Sequence, residues 1–282
     1  MANDLKNLHL AFIGCGVMGE SMIAGLLRKN LVESKKISAS HPRESRRGEL
    51  KDRYKIAVFE SNAEAARSVA GRQQDSAVLI CVKPQRLARV LNDLTGELSL
   101  DRLVVSIVAG ATIEHLAEAL GTAKIVRAMP NTPSQIGAGI TAWTCTEAVA
   151  DLERVHVREL LKALGKELFV ETENMIDMAT SLSATGPTYI FMVMEALTDA
   201  GVHLGFSRDM AKELVQETML GSVKFAMESH KHPAELRNMV TSPGGTSAEA
   251  IYQMEKGTLR TVLSKAVYAA YKRAVELGKK GV

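Results

Sequence analysis

Residues 8–27, LHLAFIGCGVMGESMIAGLL, pass from an apolar strand through three glycines into an amphipathic helix. The spacing Gly14-x-Gly16-x-x-Gly19 gives one glycine to a tight turn, one to the close approach of a pyrophosphate, and one to the contact between helix and strand. The N–H groups that start the helix face the same point with partial positive charge. A plain glycine-rich βα turn would carry the same three letters. The strand before it, the helix after it and its place at the start of a βαβ unit favour a dinucleotide.

Working outward, the 282 residues are 46% hydrophobic and 24% charged with a net charge of +3, the composition of a soluble globular chain of two domains. So small a charge argues against a nucleic-acid partner. Cys15, Cys81 and Cys145 are odd in number, widely spaced and set among apolar residues, which suits reduced thiols rather than disulfides or metal ligands; no metal site is expected. The N-terminal MANDLKNLHL mixes acid and base and leads at once into the strand, so neither a targeting peptide nor a membrane span is expected, and the cytoplasm is the expected location.

Short apolar strands alternate with helices about six times up to residue 145, the pattern of a Rossmann-like, doubly wound parallel α/β sheet. Residues 36–40 form the second strand. An NAD-specific protein would end it on an acid for the ribose 2′-hydroxyl, but here the chain reads Ser40-His41-Pro42-Arg43, with Arg46 and Arg47 beyond. Guanidinium groups there suit the 2′-phosphate of NADP, with a solvated helix face as the other reading of the arginines. Asn62 opens an alanine-rich helix, as its cap or as a ligand. The buried run 76–82 ends in Lys83-Pro84, at the strand edge where ligands collect. Residues 103–108 lead into Ala109-Gly110, and a sixth strand leads into Met129-Pro130-Asn131-Thr132-Pro133. A helix over 151–165, stopped by Gly165, closes a first domain of residues 1–170.

Residues 171–282 then read as an all-helical second domain, with Pro187, Ser207 and Pro233 starting helices. Met192, Met194, Met210, Met219, Met227, Met239 and Met254 suit packing between helices, in the core or between subunits, so at least a homodimer is expected. Within this half, MVTSPGGTSAEAI at 239–251 sets a tight turn before a new helix, with Thr246 and Glu249 spaced as a capping box. The N–H groups of Gly245, Thr246 and Ser247 would converge on a small carboxylate, and the two hydroxyls could bond a nitrogen beside it; a plain capped turn is the alternative.

In order and spacing, the glycine turn, Val82-Lys83-Pro84, Met129–Pro133, Gly186-Pro187 and Thr241–Ser247 resemble the pyrroline-5-carboxylate reductase family along essentially the whole chain. The SPGGT segment is the most specific part. The resemblance implies a Rossmann-like domain followed by an all-α dimerisation domain, and NAD(P)H-dependent reduction of 1-pyrroline-5-carboxylate to L-proline, the final step of proline biosynthesis, with NADPH preferred and NADH possible. It implies cofactor contacts from Ile13, Gly14, Cys15, Gly16, Val17, Met18, Gly19, Ser40, Pro42, Arg43, Asn62, Val82, Lys83, Pro84, Val108, Ala109, Gly110 and Asn131. It implies substrate contacts from Glu173, Gly244, Gly245, Thr246 and Ser247, with Thr246 and Ser247 orienting the reacting nitrogen, and a homo-oligomer built from dimers through the C-terminal helices. Ser247 stands where the family commonly has Thr, keeping the hydroxyl without the methyl, and 183–186 read SATG where SGSG is common. A β-hydroxyacid dehydrogenase, which shares the two-domain plan, would need a lysine on the first long helix of the second domain; residues 186–205 contain none. A non-catalytic NADP-binding sensor would need no second anion site, and 241–247 speak against it.

Overall fold

The computed structural model describes residues 4–71 and 75–279. Eight strands, β1 (His9–Ile13), β2 (Ile37–Ser40), β3 (Ala57–Phe59), β4 (Ser76–Ile80), β5 (Leu103–Ser106), β6 (Ile125–Met129), β7 (Gly139–Cys145) and β8 (Gly165–Phe169), form one sheet in the order β3-β2-β1-β4-β5-β6-β7-β8. Helices α1 (Val17–Arg28), α2 (Glu44–Tyr54), α3 (Asn62–Arg67), α4 (Leu87–Leu94), α5 (Ile113–Leu120) and α6 (Asp151–Lys162) alternate with the strands. They are followed by α7 (Asn174–Ala179), α8 (Gly186–His203), α9 (Arg208–Ser229), α10 (Pro233–Met239), α11 (Thr246–Lys256) and α12 (Leu259–Lys279).

The sheet is covered on both faces, and β1 shows how its alternation serves both. Leu10 and Phe12 join a core with Met22, Ile23, Leu26, Trp143 and Leu160, while Ala11 and Ile13 join another with Ala65, Val78, Leu87 and Leu116. The order in which strands are added reverses between the parallel neighbours β1 and β4, so the loops after these two strands border one crevice, the usual ligand position in such folds.

The far edge departs from the sequence reading. Strand β7 pairs antiparallel to β6, and β8 pairs parallel to β7, so the last two strands run against the other six. Helix α6 ends at Lys162, and Gly165 begins β8 instead of stopping a helix. With φ 138°, Gly165 lies so close to β7 that a Cβ would sit 2.1 Å from the Gly139 carbonyl oxygen, a contact that leaves no periodic signal in the sequence. Trp143 anchors this edge, fully buried, its Nε1–H donating to Glu167 Oε2 at 2.6 Å and its ring edge-on to Phe169 at 4.9 Å.

The chain divides into two compact units, one of residues up to Thr185 with those from Ala270 onward, the other Gly186–Ala269. Residues 171–185, expected with the helical half, belong to the sheet unit, where Ile176 is fully buried beside Met129, Ala142 and Val170. The second unit is helical throughout. Ser207 Oγ caps α9 by accepting from Met210 N at 3.3 Å, and Pro233 opens α10. Ala211 is the one buried residue in it; Met192 is 65% and Met227 60% exposed, so the methionines are no core of a single copy. Apolar helix faces of this extent require a cover.

Helix α1 rests on the chain just after α6, where a Cβ on Gly25 would stand 2.6 Å from the Ala163 carbonyl oxygen. Gly25→Ala is expected to destabilise the protein by about 1–3 kcal/mol through forced backbone movement, measured by urea unfolding. An unchanged midpoint would contradict so tight a contact.

Candidate functional site

The glycine turn is built by its neighbours. Gly14 has φ 75°, a region that disfavours other residues, and a Cβ on it would overlap Val82 Cγ1 at 2.0 Å. Ser40, fully buried at the end of β2, holds the turn: its Oγ accepts from Gly14 N at 3.0 Å and its carbonyl from Cys15 N at 2.9 Å. The same hydroxyl donates to Asn62 Oδ1 at 2.7 Å, and Asn62 Nδ2 donates to Asp93 Oδ2 at 2.9 Å. Asn62 is therefore no helix cap; Ser61 caps α3, accepting from Glu64 N at 3.3 Å. Gly16 stands at the N-cap of α1 with no side chain to bond, which leaves first-turn N–H groups facing outward. Gly19, read as the close contact, is one: a Cβ there would stand 3.3 Å from Cys81 Cβ; a still tighter approach is at Gly25, which the motif does not include.

A cleft of about 730 Å³ opens here, lined among others by Gly14, Gly16, Val17, Pro42, Arg43 and Val82, with Lys83 and Arg86 at its wall. The arginines at and near the start of α2 are not equivalent. Arg46 is held by Glu20 and by Glu49, the latter at 2.7 Å. Arg47 braces the loop, donating to the carbonyls of His41 at 3.0 Å and Pro42 at 2.8 Å and to Glu60 at 3.0 Å. Arg43, exposed at the start of α2, makes no ion pair among the described residues. Burial, and then the charge of Arg43 with that of Arg46 and Arg47, hold His41 below the usual histidine range, so it stays neutral near pH 7. Burial would raise Glu20, yet hydrogen bonds from Arg46 and Tyr54 leave it lowered and ionised.

The remaining loops join the sheet unit. Val108 is buried, Gly110 turns the chain at φ 78°, and Ala109 packs near Ile176 and Ala179. Asn131 closes its loop by accepting from Ile140 N at 3.0 Å. Glu173 accepts from Ile113 N at 2.8 Å and from Arg127, a buried residue that the sequence reading passed over because a lone Arg inside a strand has no motif.

In the helical unit, the Ser242 carbonyl accepts from Gly245 N at 3.0 Å, with Pro243 second in the turn and Gly244, φ 70°, third, as a type II turn needs. The expected capping box is not formed. Gly245 is the N-cap and Thr246 the first residue of α11, because the turn delivers the glycine, not the threonine, to the half-helical position. The consequence is a bare helix start: the N–H groups of Thr246 and Ser247 have no carbonyl one turn back to bond.

The chain matches the family model described as pyrroline-5-carboxylate reductase dimerisation over residues 173–277, and that described as NADP oxidoreductase coenzyme F420-dependent over residues 9–110. It is 36% identical to a pyrroline-5-carboxylate reductase of Synechocystis over 97% of this chain and 100% of that one. It is 37% identical to one of Pseudomonas aeruginosa over 96% and 97%. A crystal structure of Plasmodium falciparum pyrroline carboxylate reductase with NADP bound superposes with a TM-score of 0.86 at 30% identity, covering 97% of this chain and 99% of that one.

Cys15 and Cys81 flank Gly19, and no group of three His, Cys, Asp or Glu able to hold a metal occurs among the described residues. Burial, eased by Arg46, pushes the Cys15 thiol up to about 12, and burial raises Cys81 well above the usual range. Both stay protonated at pH 8 and are inert as nucleophiles. Iodoacetamide at that pH is expected to modify the half-exposed Cys145 first and the other two only on unfolding, read by peptide mass spectrometry. Early labelling of Cys15 would contradict this.

Proposed function

The chain belongs to the pyrroline-5-carboxylate reductase family, and on that premise we propose that it reduces the C=N bond of 1-pyrroline-5-carboxylate to L-proline with NADPH, NADH serving less well. The observation that carries this reading is the second bare helix start, at Gly245–Ser247, in a chain that already has a dinucleotide turn at Gly14–Gly19. A sensor of dinucleotides would need only the latter.

The cleft beside the glycine turn fits the coenzyme: a helix start without a side-chain cap for the diphosphate and, at Arg43, a guanidinium with no ion pair among the described residues for a 2′-phosphate. Gly14 to Gly19, with Ile13, Val82, Lys83 and Pro84, hold the dinucleotide, and Pro42 and Arg43 its 2′-phosphate end. Ser40 and Asn62 act through the turn they fix. Val108, Ala109, Gly110 and Asn131 shape the loops beyond it. When bound, NADPH supplies the hydride that the C=N carbon accepts.

On the substrate side the demands are modest, because a protonated imine is already electrophilic. The open amides of Thr246 and Ser247, with the backbone of Gly244 and Gly245 shaping the turn, receive the carboxylate, and the hydroxyls of Thr246 and Ser247 orient the ring nitrogen. Glu173 is a substrate contact of the sheet unit. Solvent delivers the proton; no side chain is cast as general acid. Positioning accounts for the catalysis. The exposed helix faces of the second unit are covered by a second copy, larger assemblies being built from such dimers, and the enzyme works in the cytoplasm.

The test is oxidation of NADPH, followed by absorbance, on adding 1-pyrroline-5-carboxylate; no oxidation would refute the proposal. Ser247→Ala is expected to lower kcat/KM by about tenfold to a hundredfold, the scale of one hydrogen bond made in the transition state. Unchanged kinetics would take Ser247 out of the mechanism. Arg43→Ala is expected to raise KM for NADPH about tenfold and leave that for NADH nearly unchanged. Equal shifts for both coenzymes would deny it the 2′-phosphate.

A further inference from the structure

Arg127, in the middle of β6, is 1% exposed, and its guanidinium divides between two acids. Nη1 donates to Glu173 Oε1 at 2.8 Å and Nη2 to Asp177 Oδ1 at 2.6 Å, while Nε is buried without a partner among the described residues. One cation thus faces two carboxylates, and the cluster carries one negative charge in excess. Glu173 Oε1 is used twice, since it also takes the Ile113 N–H at 2.8 Å. Oε2 receives no hydrogen bond among the described residues, and the Glu173 side chain is 32% exposed.

A cluster serving only to fasten α7 to the sheet would need one carboxylate for one guanidinium. A surplus anion in a largely buried spot is costly unless a further cation completes it. The loop beside it is the one that carries Val108, Ala109 and Gly110, for Ile113 opens the helix after that loop, and Ala109 packs by Ile176 and Ala179.

We propose that Arg127 is a positioning residue which, by splitting its fork between Glu173 and Asp177, keeps Glu173 Oε2 free and the cluster negative for the protonated ring nitrogen of a cyclic iminium or its amine product. The proposal rests on the function proposed above and adds the device that selects the charged form of the substrate. Arg127 touches no substrate; it sets which oxygen of Glu173 does.

Three variants test it. Asp177→Ala frees Nη2 to turn onto Glu173, so that both carboxylate oxygens are taken. Arg127→Lys has no fork and leaves its one ammonium contested by the two acids. Each is expected to raise KM for 1-pyrroline-5-carboxylate about tenfold, the scale of a charge-assisted hydrogen bond, with KM for NADPH unmoved. Asp177→Asn keeps an acceptor for Nη2, and so leaves Glu173 Oε2 free, but removes the surplus charge; KM is expected to rise less than in Asp177→Ala. A merely structural cluster would lose thermal stability in these variants without a change of KM for the imine relative to that for NADPH. Unchanged KM for the imine in the folded Asp177→Ala and Arg127→Lys variants overturns the proposal. Should Arg127→Lys fail to fold, Asp177→Ala alone decides by the same split between the two KM values. A wild-type protein that turns over no imine would remove the proposed function and this device together, whereas an active wild type with insensitive KM removes the device alone.

Discussion

Ser40 is the hinge of the sheet unit's chemistry. Buried at the end of β2, it holds Gly14 by its hydroxyl and Cys15 by its carbonyl, and so fixes a turn whose φ of 75° at Gly14 disfavours other residues. With Val82 packed beneath, the turn has one path, and α1 begins with its N–H groups uncovered. The link from Ser40 through Asn62 to Asp93 ties that path to α4. An anion-receiving surface made of backbone has no side chain to reorganise, so rigidity here serves binding directly.

The helical unit solves a similar problem differently. A turn closed between Ser242 and Gly245, with Pro243 and Gly244 inside it, ends in a helix whose cap is a glycine. Neither helix start spends its first N–H groups on a side-chain cap. The helices around this turn bury almost nothing on their own, which ties the unit's stability to a partner surface.

Much of this was legible in the sequence because it depends on local chemistry. Three glycines in a set spacing, a buried run ending in Lys83-Pro84, and proline with two glycines before a helical pattern each specify a backbone path within a few residues. What was not legible depends on contacts between distant residues. Strands β7 and β8 are held by Trp143 and by two glycines that meet across the pair, and Gly165 read as a helix stop because its partner Gly139 lies far back in the chain. Gly25 carries no local signal for the same reason, its constraint being the carbonyl of Ala163. Arg46 and Arg47 read as equivalent to Arg43, since ion pairing from α2 to Glu20 in α1 and to Glu60 after β3 has no spacing rule. Thr246 reads as a cap because Glu249 follows it at capping-box spacing, but the turn decides which residue arrives there.

The account stands on transfer of a hydride from a nicotinamide held by the sheet unit to a cyclic imine carbon. Turnover with NADPH carrying deuterium at the transferable position of nicotinamide C4, followed by mass spectrometry of the product, tests this directly. The account predicts proline with one deuterium on the carbon that was double-bonded to nitrogen. Unlabelled proline, or coenzyme left unoxidised, would contradict it.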